Sequence, residues 1–62
     1  MFKIDDCVVK KENSQIIGKV VKIYEEIDVI VIHTISGYNE YSRKDELMAI
    51  SEEEFMQELL LR

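Results

Sequence analysis

The chain contains no proline, no tryptophan, two glycines, one cysteine and one histidine in 62 residues. A lone Cys7 excludes a disulfide within the chain, the usual support of a small secreted domain. Cys7 and His33 supply two of the four Cys or His ligands that a structural zinc takes, so one chain cannot build that site. Glycines 19 positions apart cannot form a phosphate-cradling loop. No apolar run exceeds four residues, far short of the roughly 18 that cross a membrane. The opening Met1–Asp6 has no stretch like the apolar segment of a signal peptide. These absences lead to the expectation of a cytoplasmic protein with no membrane partner.

What is present is short and acidic. Sixty-two residues make one compact core and no large substrate cleft. Apolar residues are 47% of the total, which fits a folded chain rather than a disordered one. The net charge of −5 is unevenly placed. Residues 1–23 hold five lysines and three acids, whereas residues 24–62 hold three bases and ten acids. Non-specific nucleic-acid binders are normally basic throughout. Here the bases that remain for such a role are Lys10, Lys11, Lys19, Lys22, Arg43 and Lys44.

Reactive residue types do not form a catalytic pattern. Cys7 adjoins Val8 and Val9 and reads as a small buried hydrophobe. His33 lies in an apolar strand without a carboxylate or nucleophile beside it in sequence. The carboxylates at Asp5–Asp6, Glu25–Asp28 and Glu52–Glu54 lack the alternating ligand spacing of a calcium loop. The expectation is a protein that is not an enzyme and takes no cofactor or metal.

Five extended segments are predicted. Asp5–Asp6 makes a tight turn, since aspartate side chains bond nearby backbone N–H groups, and Cys7–Lys10 follows as a short strand. Lys11–Gln15 reads as a polar loop. Ile16–Tyr24 is rich in β-branched residues, with Val21 and Ile23 on one face and Lys22 on the other. Gly18 marks a bulge or a close backbone crossing. Ile27–Thr34 is the strongest strand, and Val29–Ile32 places apolar side chains on both faces. A helix, sheet curvature or a partner must therefore cover its second face. Ser36–Gly37 is a hairpin turn, Tyr38–Tyr41 a fourth strand, Ser42–Glu46 one helical turn and Met48–Ile50 a fifth strand.

The last segment is a helix. Ser51 and Glu54 have capping-box spacing, and Ile50 with Phe55 has that of a hydrophobic staple. Glu52, Glu53 and Glu54 oppose the positive end of the helix dipole. Phe55, Met56, Leu59 and Leu60 recur at helical spacing, with Leu61 off their face. About ten residues cannot hold a helix alone in water, so this stripe packs on the rest of the chain or on a partner.

Several of these segments resemble the KOW, Tudor and CarD-like group of SH3-like domains. Phe2-Lys3-Ile4-Asp5-Asp6-Cys7-Val8 is similar to their opening apolar-x-apolar-Gly-Asp-x-Val, with Asp5 in the glycine position. Gly18-Lys19-Val20-Val21 resembles their Gly-x-Val strand, and Ser36-Gly37-Tyr38 their glycine-bearing hairpin. Arg43-Lys44-Asp45-Glu46-Leu47 resembles the helical turn before their last strand. The likeness covers residues 2–50. It implies a mainly β fold, a small five-stranded SH3-like barrel at residues 1–50 with a short C-terminal α-helix at residues 51–62.

It also implies an adaptor role, since such domains bind ribosomal RNA or parts of the transcription machinery, and Tudor domains bind methylated side chains in aromatic cages. Tyr24, Tyr38 and Tyr41 are the aromatic candidates for a cation site. The principal expectation is a small protein-binding module, an adaptor or inhibitor, using Phe55, Met56, Leu59, Leu60 and Leu61 against another protein. One alternative is an RNA- or DNA-binding regulatory module using the bases named above. Another is a structural homo-oligomer, such as a twofold homodimer.

Overall fold

The computed structural model describes residues 1–61. Five strands form one antiparallel sheet: β1 (Cys7–Lys10), β2 (Asn13–Tyr24), β3 (Val29–Thr34), β4 (Asn39–Ser42) and β5 (Leu47–Ala49). Their order across the sheet is β4-β3-β2-β1-β5. Short 3₁₀ turns occupy Glu25–Ile27 and Lys44–Glu46, and helix α1 spans Glu52–Leu60. Strands make up 48% of the described residues, so the fold is mainly β as expected. No helix among the described residues is long and apolar enough to cross a membrane.

The sheet curls into a small barrel-like shape. Strand β2 has twelve residues and serves two partners, β1 along its first part and β3 along its second. Lys10 of β1 and Glu40 of β4 meet at 2.7 Å. A flat sheet would hold those strands, three positions apart, at about 14 Å, so the sheet bends to bring them together. Two local features assist the bend. At Gly18 a side-chain Cβ would lie 2.2 Å from the His33 carbonyl oxygen, so only glycine permits this approach of β2 to β3. At Val21 the pairing slips between Val20 and Lys22.

That bulge corrects the expected alternation along β2. An extra residue breaks the period of two, so Val20 and Ile23 face the interior while Val21 is exposed. Other boundaries also move. The expected loop at Lys11–Gln15 shrinks to a two-residue turn, because β2 already begins at Asn13. The third strand starts at Val29 rather than Ile27, since Glu25–Ile27 coils and Asp28 turns with φ 55°. The fourth and fifth strands each begin or end within one residue of expectation.

Turn chemistry fixes the barrel's opening. Asp5 has φ 75°, in the left-handed region that favours glycine. The Lys3 N–H donates to Asp6 Oδ2 at 2.8 Å, and the Asp6 N–H to the Lys3 carbonyl at 3.1 Å. Asp5 and Asp6 then pair with Val20, extending the sheet before β1 begins. Gly37, with φ 97°, closes the β3–β4 hairpin.

Strand β1 is buried on both faces. Inside, Val8, Val20, Ile30, Ile32 and Leu47 form one cluster, with Phe2, Ile16 and Ile23 at its border. Outside, Cys7, Val9 and Ile17 pack with Phe55 of α1, flanked by Ile35 and Ile50. The Ser51 hydroxyl accepts the Glu54 N–H at 3.1 Å. Ile50 and Phe55 join the same cluster, as the staple spacing requires.

Candidate protein-docking surface

Helix α1 gives the barrel one large side chain. Phe55 is 7% exposed, so its expected place in a partner-binding stripe is corrected: it anchors the helix. The other four apolar candidates face outward. Met56 is 52% exposed, Leu59 39%, Leu60 81% and Leu61 80%. Geometry explains the division. Residues advance about 100° each around a helix, so a nine-residue helix resting on a sheet can turn only a narrow sector inward. Phe55 occupies that sector, and Met56 and Leu60 lie progressively further round.

The two flanks of α1 differ. A groove of about 280 Å³ runs along one, lined by Val9, Ile17, Met48, Ile50, Glu54 and Glu58 among others. Met48 adds a half-exposed apolar side chain there. The opposite flank carries Leu59 and Met56. Four glutamates, Glu52, Glu53, Glu54 and Glu58, surround the apolar positions, and the last turn has no base.

The outer face of β2, β3 and β4 lies uncovered by the helix. Lys19 pairs with His33 and His33 with Asn39, while Lys22 pairs with Val31 and Val31 with Tyr41. Val31 is nevertheless buried among its neighbours. The Lys22 ammonium lies 5.0 Å from the centre of the Tyr24 ring, and that of Lys19 lies 5.5 Å from the Phe55 ring. Such contacts stabilise by about 0.5–1 kcal/mol each at exposed sites. Tyr24 and Tyr41 share this face, at 38% and 65% exposure. Tyr38 lies apart, in the hairpin turn before β4.

The six candidate phosphate-binding cations occupy different places. Lys10 points to the inner edge of the barrel and donates to Glu40. That hydrogen bond holds the Lys10 ammonium above its usual range, against the smaller opposing effect of burial. Lys19 and Lys22 lie on the outer face of β2. Lys11 stands at the β1–β2 turn, and Arg43 and Lys44 at the 3₁₀ turn before β5.

Cys7 is buried, and burial pushes its thiol up, away from the reactive thiolate. The register sets Cys7 opposite Lys19 and Lys19 opposite His33. Two strand spacings, about 9–10 Å, therefore separate Cys7 from His33. His33 Nδ1 instead meets Asn39 Oδ1 at 2.9 Å. Among the described residues no three His, Cys, Asp or Glu side chains gather as a metal site.

A second groove, of about 480 Å³, lies between the N-terminal segment and the β2–β3 turn. Met1, Phe2, Ile23, Tyr24 and Val29 line it, with Glu25, Asp28 and Lys44 also present. Its residues come from distant parts of the chain, so no local pattern announces it. No family model, curated protein or solved structure matches this chain.

Proposed function

We propose that this chain is a small non-catalytic protein-binding module, an adaptor or inhibitor, with α1 as its working surface. One observation carries the reading: α1 surrenders Phe55 to the core and leaves Met56, Leu59, Leu60 and Leu61 exposed. Contiguous exposed apolar side chains ringed by charge are a usual mark of an interaction site. The barrel then serves as a scaffold that holds a helix too short to stand alone.

The likeness of residues 2–50 to KOW, Tudor and CarD-like domains supports an adaptor role. Asp5 replaces their glycine, and its φ of 75° is the conformation that glycine adopts most readily. That likeness directs the search for a partner to the transcription machinery or other nucleic-acid-handling proteins. The net charge of −5 and the dispersed cations favour a protein over a nucleic acid as the direct ligand.

The test is affinity capture from native lysate, with and without nuclease, using the wild type and Leu60→Ser/Leu61→Ser. A near-stoichiometric protein that survives nuclease and is lost with the variant is the expected result. Unchanged capture by a folded variant would remove α1 as the docking surface. Capture that nuclease abolishes would replace the reading with nucleic-acid binding.

A further inference from the structure

Helix α1 turns an acid, not a further apolar side chain, towards the sheet. Phe55 is its buried anchor, and Glu58, three positions on and so on the same side, is half-buried. Met56 and Leu60 stay exposed. Glu54 and Glu58 stand four positions apart, which sets both on one flank of the helix. That flank walls the groove of about 280 Å³, whose floor is Val9, Ile17, Met48 and Ile50. No base lines this groove. Among the described residues the one ion pair is Lys10 with Glu40, and neither the Glu54 nor the Glu58 carboxylate has a partner.

We propose that this groove receives an arginine side chain from an extended segment of a partner protein. The guanidinium sits between Glu54 and Glu58, and its aliphatic stem lies on the apolar floor. Charge selects the occupant first. Whatever fills the groove strips water from two carboxylates, and a buried charge without a partner is costly. An apolar side chain leaves that cost unmet, and a nucleic acid adds repulsion. A cation meets it, and also relieves the repulsion between like charges four positions apart.

The floor selects next. A cation that covers Val9, Ile17 and Ile50 must arrive on an aliphatic stem, as in lysine and arginine. Arginine's planar fork of five donors can serve two carboxylates at once. Size agrees. The volume falls below the roughly 300–1,000 Å³ of small-molecule sites and suits one or two side chains. A metal ion is a poorer match, because no third ligand joins the two glutamates. Alternate side chains of an extended segment share a face. An apolar residue two positions from the arginine therefore covers Met48, which is 52% exposed.

This inference goes beyond the docking role of Met56, Leu59, Leu60 and Leu61, because it uses none of them. It gives the chain a second contact, of stated chemistry, on the other flank of α1.

The experiment titrates the full, isotope-labelled chain with acetyl-Ser-Arg-Ser-Leu-Ser-amide to millimolar concentration and follows amide shifts by NMR. Two control peptides carry Glu in place of Arg, or Ser in place of Leu. Circular dichroism melts show that each variant is folded. The arginine peptide should shift Ile17, Met48, Ile50, Glu54 and Glu58 together, and its binding should weaken as salt rises. The glutamate peptide should not bind, and the peptide without leucine should bind several-fold more weakly. Glu54→Gln/Glu58→Gln should weaken binding at least tenfold, and Met48→Ser several-fold. Leu60→Ser/Leu61→Ser should leave it unchanged. No shift at the groove overturns the proposal, as do equal binding of the three peptides and unchanged binding by the folded Gln variant. Shifts that centre on Leu60 and Leu61 and vanish in the Ser variant overturn it too, while leaving the docking reading in place. Loss of lysate capture in that Ser variant, with peptide binding intact, separates the two readings.

Discussion

Strand β1 is sealed by two different structures on its two faces. On the inner face, Val8 clusters with side chains from three other strands, and Val8, Val20 and Ile32 have no exposure. On the outer face, Cys7, Val9 and Ile17 rely on one helix, which contributes Phe55 alone to full burial. The inner cluster is held by a sheet that curls around it. The outer cluster is a lid fixed at one point. On the proposed reading this difference separates scaffold from working surface, since the helix that places one side chain in the core leaves Met56, Leu59, Leu60 and Leu61 exposed.

The comparison is broken most strongly from within. Ile32→Ala should cost about 2–5 kcal/mol, much of the stability of a chain this small, and lower the melting temperature of the whole domain. Phe55→Ala removes the helix's only deep contact and should cost about 3 kcal/mol. Its signature should differ: helical circular dichroism falls while amides of Val20 and Ile32 keep their protection against exchange. Equal loss of protection in both variants would mean that barrel and helix form one cooperative unit.

Gly18→Ala probes the bend that makes the inner cluster possible. Its Cβ would meet the His33 backbone carbonyl rather than a movable side chain. A loss of about 3 kcal/mol is expected in a denaturant melt.

Lys10→Met tests the closure between β1 and β4, with an expected loss of about 1–2 kcal/mol near neutral pH. The pH dependence has a definite sign. The folded state holds Lys10 above its usual value of 10.5, so it binds the proton more tightly than the unfolded chain. The contribution is full below about pH 10.5 and disappears as pH rises through the folded value. Melts of wild type and variant should therefore converge in strong alkali and stay apart at neutral pH.

Ser51→Ala has the smallest effect on the lid. It removes the cap accepted from Glu54 and should cost about 1 kcal/mol. The loss should appear in helical signal before barrel signal.

Much of this difference was legible in the sequence because its causes are local. Ser51, Glu54, Ile50 and Phe55 announce the helix start through spacing alone. Gly18 and Ser36–Gly37 announce a close crossing and a turn. What stayed hidden depends on distant residues. The Val21 bulge reverses the expected faces of β2 because it arises from pairing with β3, which β2 alone cannot reveal. Strand β2 also reaches back to Asn13 through polar residues that look like a loop, since pairing rather than hydrophobicity holds them. The candidate stripe Phe55, Met56, Leu59, Leu60 and Leu61 was visible as a set. Its division into one anchor and four exposed side chains required the sheet beneath it.

The central claim is that a firm barrel carries a lightly held helix as its working surface. Native-state amide hydrogen exchange tests it most directly. The account predicts two levels: Val20 and Ile32 exchange only through global unfolding, whereas amides in the second half of α1 exchange through a lower-energy opening that leaves the barrel intact. A single level shared by both, with the same denaturant dependence, would contradict it.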